Sequence, residues 1–221
     1  MHAPRIRRAH RRIALVVATA WIAAVLFPTP ASAEWFADLY LGGAFTQRHE
    51  VTLEGPAGDT HVSDVGFNRS AIFGGRAGYW FDYFGVGLDV SHFRPDTVPS
   101  SLKRFDFYVT PLTGALVVRW PLMADADNPH GRLQPYMALG LSVAYIEGKD
   151  TTNFFPNNQY AAGFFVGGQG GAGVAWQLQR NVALFGEYRF THFSPDLRFR
   201  SDTLRTDLNT HNAVFGISLR Y

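Results

Sequence analysis

The stretch that decides the fold closes the chain: Asn212-Ala213-Val214-Phe215-Gly216-Ile217-Ser218-Leu219-Arg220-Tyr221. Ala213, Phe215, Ile217, Leu219 and Tyr221 share one parity, and Asn212, Val214, Gly216, Ser218 and Arg220 share the other. Successive side chains of an extended strand point to opposite faces, so this decapeptide is a strand with one apolar face and one face of glycine, hydroxyl and charge.

Moving back from this end, the same alternation recurs in seven more segments: 182–191, 163–178, 136–146, 107–120, 84–93, 70–81 and 35–46. In 136–146, Met137, Leu139, Leu141, Val143 and Tyr145 oppose Ala138, Gly140, Ser142 and Ala144. In 84–93, Phe84, Val86, Leu88 and Val90 oppose Gly85, Gly87, Asp89 and Ser91. A tilted membrane strand needs about 9–11 residues. An even number of such alternating segments is the pattern of an antiparallel transmembrane barrel. The fold expected is all-β: an eight-stranded antiparallel transmembrane β-barrel. A lipid-exposed barrel puts its apolar face outside and pairs every backbone group. A soluble lipid-carrier barrel would reverse the faces. Eight strands leave an interior that side chains fill, and Gly74, Gly78, Gly85, Gly87, Gly140, Gly167, Gly171 and Gly173 make room there for larger inward neighbours.

Upstream of the first strand lies a different kind of segment. Arg5, Arg7, Arg8, Arg11 and Arg12 precede an apolar run from Ile13 to Phe27, then Pro28, Pro30 and Ala31-Ser32-Ala33. This is the layout of a secretory signal peptide. Residues 1–33 are expected to be cleaved, leaving 34–221 as the barrel domain. The full chain of 221 residues has 20 Lys+Arg against 18 Asp+Glu. The signal holds five of those bases and no acid, so the mature chain is slightly acidic and gives no support for a nucleic-acid partner. There is no cysteine, which excludes disulfides, cysteine-ligated metal and a lipidated N-terminal cysteine. No cofactor is expected.

Links and aromatics orient the barrel. The links 47–69, 94–106, 147–162 and 192–211 are long, whereas 82–83 and 179–181 are tight. Outer-membrane barrels keep both termini and the short turns in the periplasm. The link 121–135 is too long for a periplasmic turn, and no reason for it is legible in the sequence. Trp35, Trp80, Trp120, Trp176 and Tyr221 fall at the expected periplasmic rim, with Tyr79, Phe81, Tyr83, Phe84 and Tyr136. Phe45, Phe93, Phe107, Tyr145, Phe164 and Phe190 fall near the other ends. Two aromatic girdles at the membrane interfaces are expected.

The inward face carries charge. A two-residue turn at 82–83 places Arg76 opposite Asp89, and a buried charge needs a partner. Arg76 and Asp89 are therefore expected to pair, with Glu187, Arg189 and Asp38 in the same interior network. The expected result is a plug of salt bridges, not a pore. Gly167-Gly168-Gln169-Gly170-Gly171 lies in a strand and is not a phosphate loop. His49, His61, His92, His130 and His211 have no metal-ligand spacing.

The tract Leu184-Phe185-Gly186-Glu187-Tyr188-Arg189-Phe190-Thr191-His192 and the run Asp207-Leu208-Asn209-Thr210-His211 with Val214 to Tyr221 resemble the last two strands of small outer-membrane barrels. That group holds the membrane domain of outer membrane protein A and the opacity-type surface proteins. The resemblance implies location in the outer membrane of a Gram-negative bacterium, contact with its lipid and lipopolysaccharide, and insertion by the barrel-assembly machinery. The group is functionally diverse, so membership does not give function; the expected role is non-enzymatic, structural or surface-interacting, with the external loops open to an extracellular ligand. No peptidoglycan-binding domain is expected after the barrel, and the 121–135 link is longer than usual for the group.

A second reading is enzymatic. His192-Phe193-Ser194 is similar to the His-x-Ser pair of outer-membrane lipid A deacylases, which are also eight-stranded barrels. A histidine beside a serine hydroxyl, oriented by a carboxylate, is the logic of a serine esterase. Alternation from Tyr188 and Phe190 points His192 and Ser194 outward at the external rim. The departures are Pro195 where that family has Asn after the serine, and Thr206 where it has Glu. Asp202 and Asp207 are the acids nearby, and the candidate set is His192, Ser194 and Asp207.

Overall fold

The computed structural model describes residues 33–55, 58–95, 97, 105–125, 128, 130–150, 160–199 and 202–221. The expected signal segment, apart from Ala33, lies outside them, as do 98–104 and 151–159 within two of the long links.

Eight strands close into a barrel. In chain order they are β1 (Ala33–Thr46), β4 (Ser70–Phe81), β5 (Phe84–Phe93), β6 (Phe105–Arg119), β7 (Leu133–Asp150), β8 (Tyr160–Gln179), β9 (Val182–Phe193) and β12 (Leu208–Arg220). Sequence neighbours pair antiparallel around the ring, and β12 returns to β1 with Leu39 opposite Ile217. Closure leaves no barrel edge. The alternation read from the sequence governs the faces: Leu39, Leu41, Leu139, Leu141, Phe164, Val166 and Phe215 are exposed on the outer surface, while Asp38, Arg76, Asp89, Glu187 and Arg189 are buried inside.

Three features depart from the sequence expectations. First, Trp80 is not part of the exposed aromatic rim. Trp35, Trp120, Trp176 and Tyr221 are exposed, but Trp80 is 6% exposed and turned inward. It shares parity with Arg76, and Gly85 opposite provides its space: a Cβ there would lie 2.7 Å from the Trp80 ring. Tyr136 turns in over Gly173 for the same reason. Phe93 and Phe107 are also buried rather than on the outer girdle.

Second, two of the long links are not loops. Within 47–69 lie β2 (His49–Gly55) and β3 (Gly58–Val65), and within 192–211 lie β10 (Asp196–Phe199) and β11 (Asp202–Thr206). They form one sheet in the order β10-β11-β2-β3, with Leu204 opposite Leu53. Leu197 and Leu204 of this sheet belong to the same apolar cluster as Phe93, Phe107, Ile146, Phe193 and Leu208 of the barrel's long-loop end.

Third, the 121–135 link begins and ends as ladder. Trp120 N–H donates to Pro135 O, and Leu122 and Leu133 exchange both backbone bonds. The tip is closed by Asp125, whose Oδ1 accepts from Asn128 N at 2.7 Å, and by Gly131 at φ 81°. The β6–β7 ladder thus continues into the link as far as Met123 and Arg132.

Candidate functional site

Two groups of polar residues are candidates: the barrel interior and the outer rim by His192. In the interior, strand parity delivers the side chains and the inward glycines give them room. The 82–83 turn sets Arg76 directly opposite Asp89, but the ion pairs differ from the one that register suggests. Arg76 binds Asp38 Oδ2 through Nε and Nη2, both at 2.8 Å, and reaches Glu187 Oε2 at 3.1 Å. Asp89 is held instead by Arg189 Nη1 at 3.2 Å and by the Tyr40 hydroxyl, which donates to it at 2.8 Å. Arg189 also donates through Nε to Glu187 Oε1 at 2.8 Å. Tyr136 OH donates to Glu187 Oε2 at 2.8 Å. Register fixes where a Cβ starts, whereas an arginine's length lets its fork choose a carboxylate across the lumen.

Nearer the chain termini the interior holds a second cluster, which strand alternation alone does not assign. Arg119, 1% exposed, donates to Glu34 Oε2 at 3.0 Å and to the carbonyl of Asp82 at 2.7 Å. Its guanidinium lies 4.3 Å over the Trp80 ring. Arg220 donates to Gln134 Oε1 at 2.7 Å. Inward parity of Arg119 and Arg220 was the available signal; their partner Gln134 lies beyond the segment recognised as strand. Arg76, Arg119, Arg189 and Arg220 balance Glu34, Asp38, Asp89 and Glu187, so the lumen combines near-neutral net charge with dense hydrogen bonding.

At the long-loop rim the structure brings His192, Ser194 and Asp207 together, all exposed. Ser194 Oγ donates to Asp207 Oδ1 at 2.6 Å and lies 3.4 Å from His192 Nε2. His192 Nδ1 meets Asn209 Oδ1 at 2.5 Å. An amide oxygen only accepts, so Nδ1 carries the ring proton and Nε2 faces the serine as an acceptor. The carboxylate, however, engages the serine and not the histidine. The serine proton is directed to Asp207, and Pro195, next in sequence, has no N–H to offer an oxyanion. Beside this group, Tyr188 OH and Gln47 Nε2 flank the two ring nitrogens of His211. Among the described residues, no group of three or more His, Asp or Glu is placed to hold a metal ion.

Comparison with known proteins agrees with this architecture. The structure superposes on outer membrane protein OprG from Pseudomonas aeruginosa with a TM-score of 0.66 at 14% identity, over 85% of this chain and 95% of that one. Neisserial surface protein A is similar at a TM-score of 0.49 and 13% identity, over 86% of this chain and 97% of that one. No curated protein matches the sequence. The family model for the outer membrane protein beta-barrel domain matches residues 19–221, the whole closed ring and its capping sheet included. By that match this chain belongs to the outer membrane protein β-barrel family.

Proposed function

We propose that this protein is a plugged, non-conducting barrel that holds a folded β-sheet outside the cell as an interaction surface, with both termini in the periplasm. The observation that carries this reading is the pairing of two external segments, 47–69 and 192–211, into the single sheet β10-β11-β2-β3 over the apolar cluster of the barrel mouth. Loops on a rigid scaffold are where binding usually resides, and a sheet presents a surface with little ordering cost on binding. The exposed belt of Leu39, Leu141, Phe164, Val166 and Phe215 suits contact with lipid, and the rim residues above it meet lipopolysaccharide. Assembly proceeds through the barrel-assembly machinery, which takes up the aromatic terminal strand.

The test compares cells expressing the intact protein with cells in which short turns replace residues 50–64 and 196–205. Adhesion to immobilised extracellular-matrix protein is expected to fall with the sheet removed, at equal levels of heat-shifted barrel on gels. Equal adhesion would remove the surface role.

The assembly of His192, Ser194 and Asp207 favours a second reading, hydrolysis of an acyl ester of lipid A. It requires Ser194 to swing its proton from Asp207 to His192 Nε2, now at 3.4 Å. Mass spectra of lipid A from expressing cells decide it. Loss of one acyl chain, abolished by His192→Ala, would make the protein a deacylase. Unchanged lipid A leaves the plugged barrel.

A further inference from the structure

The interior charges form two clusters with a small cavity between them. Arg76, Asp38, Glu187, Arg189, Asp89 and Tyr40 make the central one; Glu34, Arg119, Gln134 and Arg220 make the one nearer the termini. A cavity of about 20 Å³ touches both, lined among others by Asp38, Trp80, Arg119, Gln134, Ser218 and Arg220. Three buried atoms of those residues have no hydrogen-bond partner among the described residues: Asp38 Oδ1, Arg119 Nη2 and Arg220 Nε. Their residues are 4%, 1% and 4% exposed. Unpaired buried polar atoms are rare, and each is costly to leave unmade.

Size and chemistry select the occupant. The cavity exceeds the roughly 10–15 Å³ that one water needs, and the site offers the two to four polar partners that hold a buried water. Two of the three atoms are donors and one is a carboxylate oxygen. A halide would serve both arginines but would face Asp38 Oδ1, and the eight interior charges already balance. A water can accept from a guanidinium group and donate to a carboxylate, so one placed within reach of all three atoms would serve each of them.

We propose that one internal water, bound to Asp38 Oδ1, Arg119 Nη2 and Arg220 Nε, joins the two clusters into a single network running through the barrel. The bond from Arg220, on the last strand, would tie chain closure to the central charges.

Crystals of the mature barrel test the site directly. The expected result is one density peak within about 2.6–3.2 Å of all three atoms. A direct Arg220–Asp38 contact with no peak would overturn the proposal. So would an anomalous peak at that place in crystals grown with bromide, which would make it an anion site. A double-mutant cycle gives a second readout. Asp38→Asn and Arg220→Met, separately and together, are expected to show coupling of about threefold or more in unfolding rate. Independent effects would mean that the two clusters are not joined. Neither test depends on whether the external sheet binds a partner.

Discussion

At Gly216 a single added carbon has no space. A Cβ there would lie 2.3 Å from the carbonyl oxygen of Leu39 and 2.7 Å from the Phe185 ring. Gly114, on the outer face of β6, has nothing within 4 Å of its equivalent position. Gly216→Ala is therefore expected to destabilise the barrel by about 1–3 kcal/mol, while Gly114→Ala stays near neutral. Urea unfolding in lipid vesicles separates the two, and equal losses would show that the glycines act through backbone freedom instead of space. Glu187 presents the opposite problem, a charge whose removal strands others. It binds Arg76 at 3.1 Å and Arg189 at 2.8 Å, all three buried. Glu187→Gln keeps the volume but leaves two guanidinium groups sharing the remaining carboxylates, a loss of about 3–5 kcal/mol in the same assay. A loss below about 1 kcal/mol would mean that Asp38 and Asp89 suffice.

At the scale of elements, the β4–β5 hairpin shows what alternation encodes. Parity and a two-residue turn place Arg76 across from Asp89, and the structure has that register. The turn has a backbone cost at Asp82, whose φ is 56°. The left-handed region disfavours residues with a Cβ, by roughly 1–2 kcal/mol, with Asn and Asp among the more tolerant. Asp82→Gly is expected to hold or raise stability and Asp82→Val to lower it by about 1–2 kcal/mol, read as shifts in the heat-induced gel transition; the reverse order would place the strain elsewhere. Which carboxylate each arginine takes was not legible, because that depends on the lumen's shape and not on pairing along one hairpin. Trp80 was misplaced for a related reason. Its depth along the strand and its inward parity were both readable, but the space for an indole comes from Gly85 on the next strand. Of the four strands of the separate sheet, β10 and β11 have only 4 and 5 residues, too short for a period-two pattern to stand out, whereas β2 and β3 have 7 and 8 and lie within a link whose length alone reads as loop. The pairing of β11 with β2 also joins parts of the chain about as far apart as the barrel allows, for example Leu204 with Leu53.

For the whole molecule, these parts stack as two barriers in series along the barrel axis. At the long-loop end, Phe93, Phe107, Phe193 and Leu208 meet Leu197 and Leu204 of the capping sheet. Below them, two arginines and three carboxylates interlock from β1, β4, β5 and β9. An apolar constriction resists wetting, and a paired charge network offers an ion few free groups. On the proposed function, each barrier alone blocks conduction. The intact protein in planar bilayers is expected to give no resolved current steps in potassium chloride. Replacing the sheet by short turns removes the upper barrier and is still expected to give none, since the charge network does not depend on the sheet. Arg76→Ala with Arg189→Ala empties the centre, yet the aromatic cap remains, so this variant is also expected to stay silent. Combining the two changes should open steps of current. Conduction by the sheet-less protein alone would show that the salt bridges do not plug the lumen, and silence of the combined variant would place the block in the end cluster of Arg119, Trp80, Gln134 and Arg220.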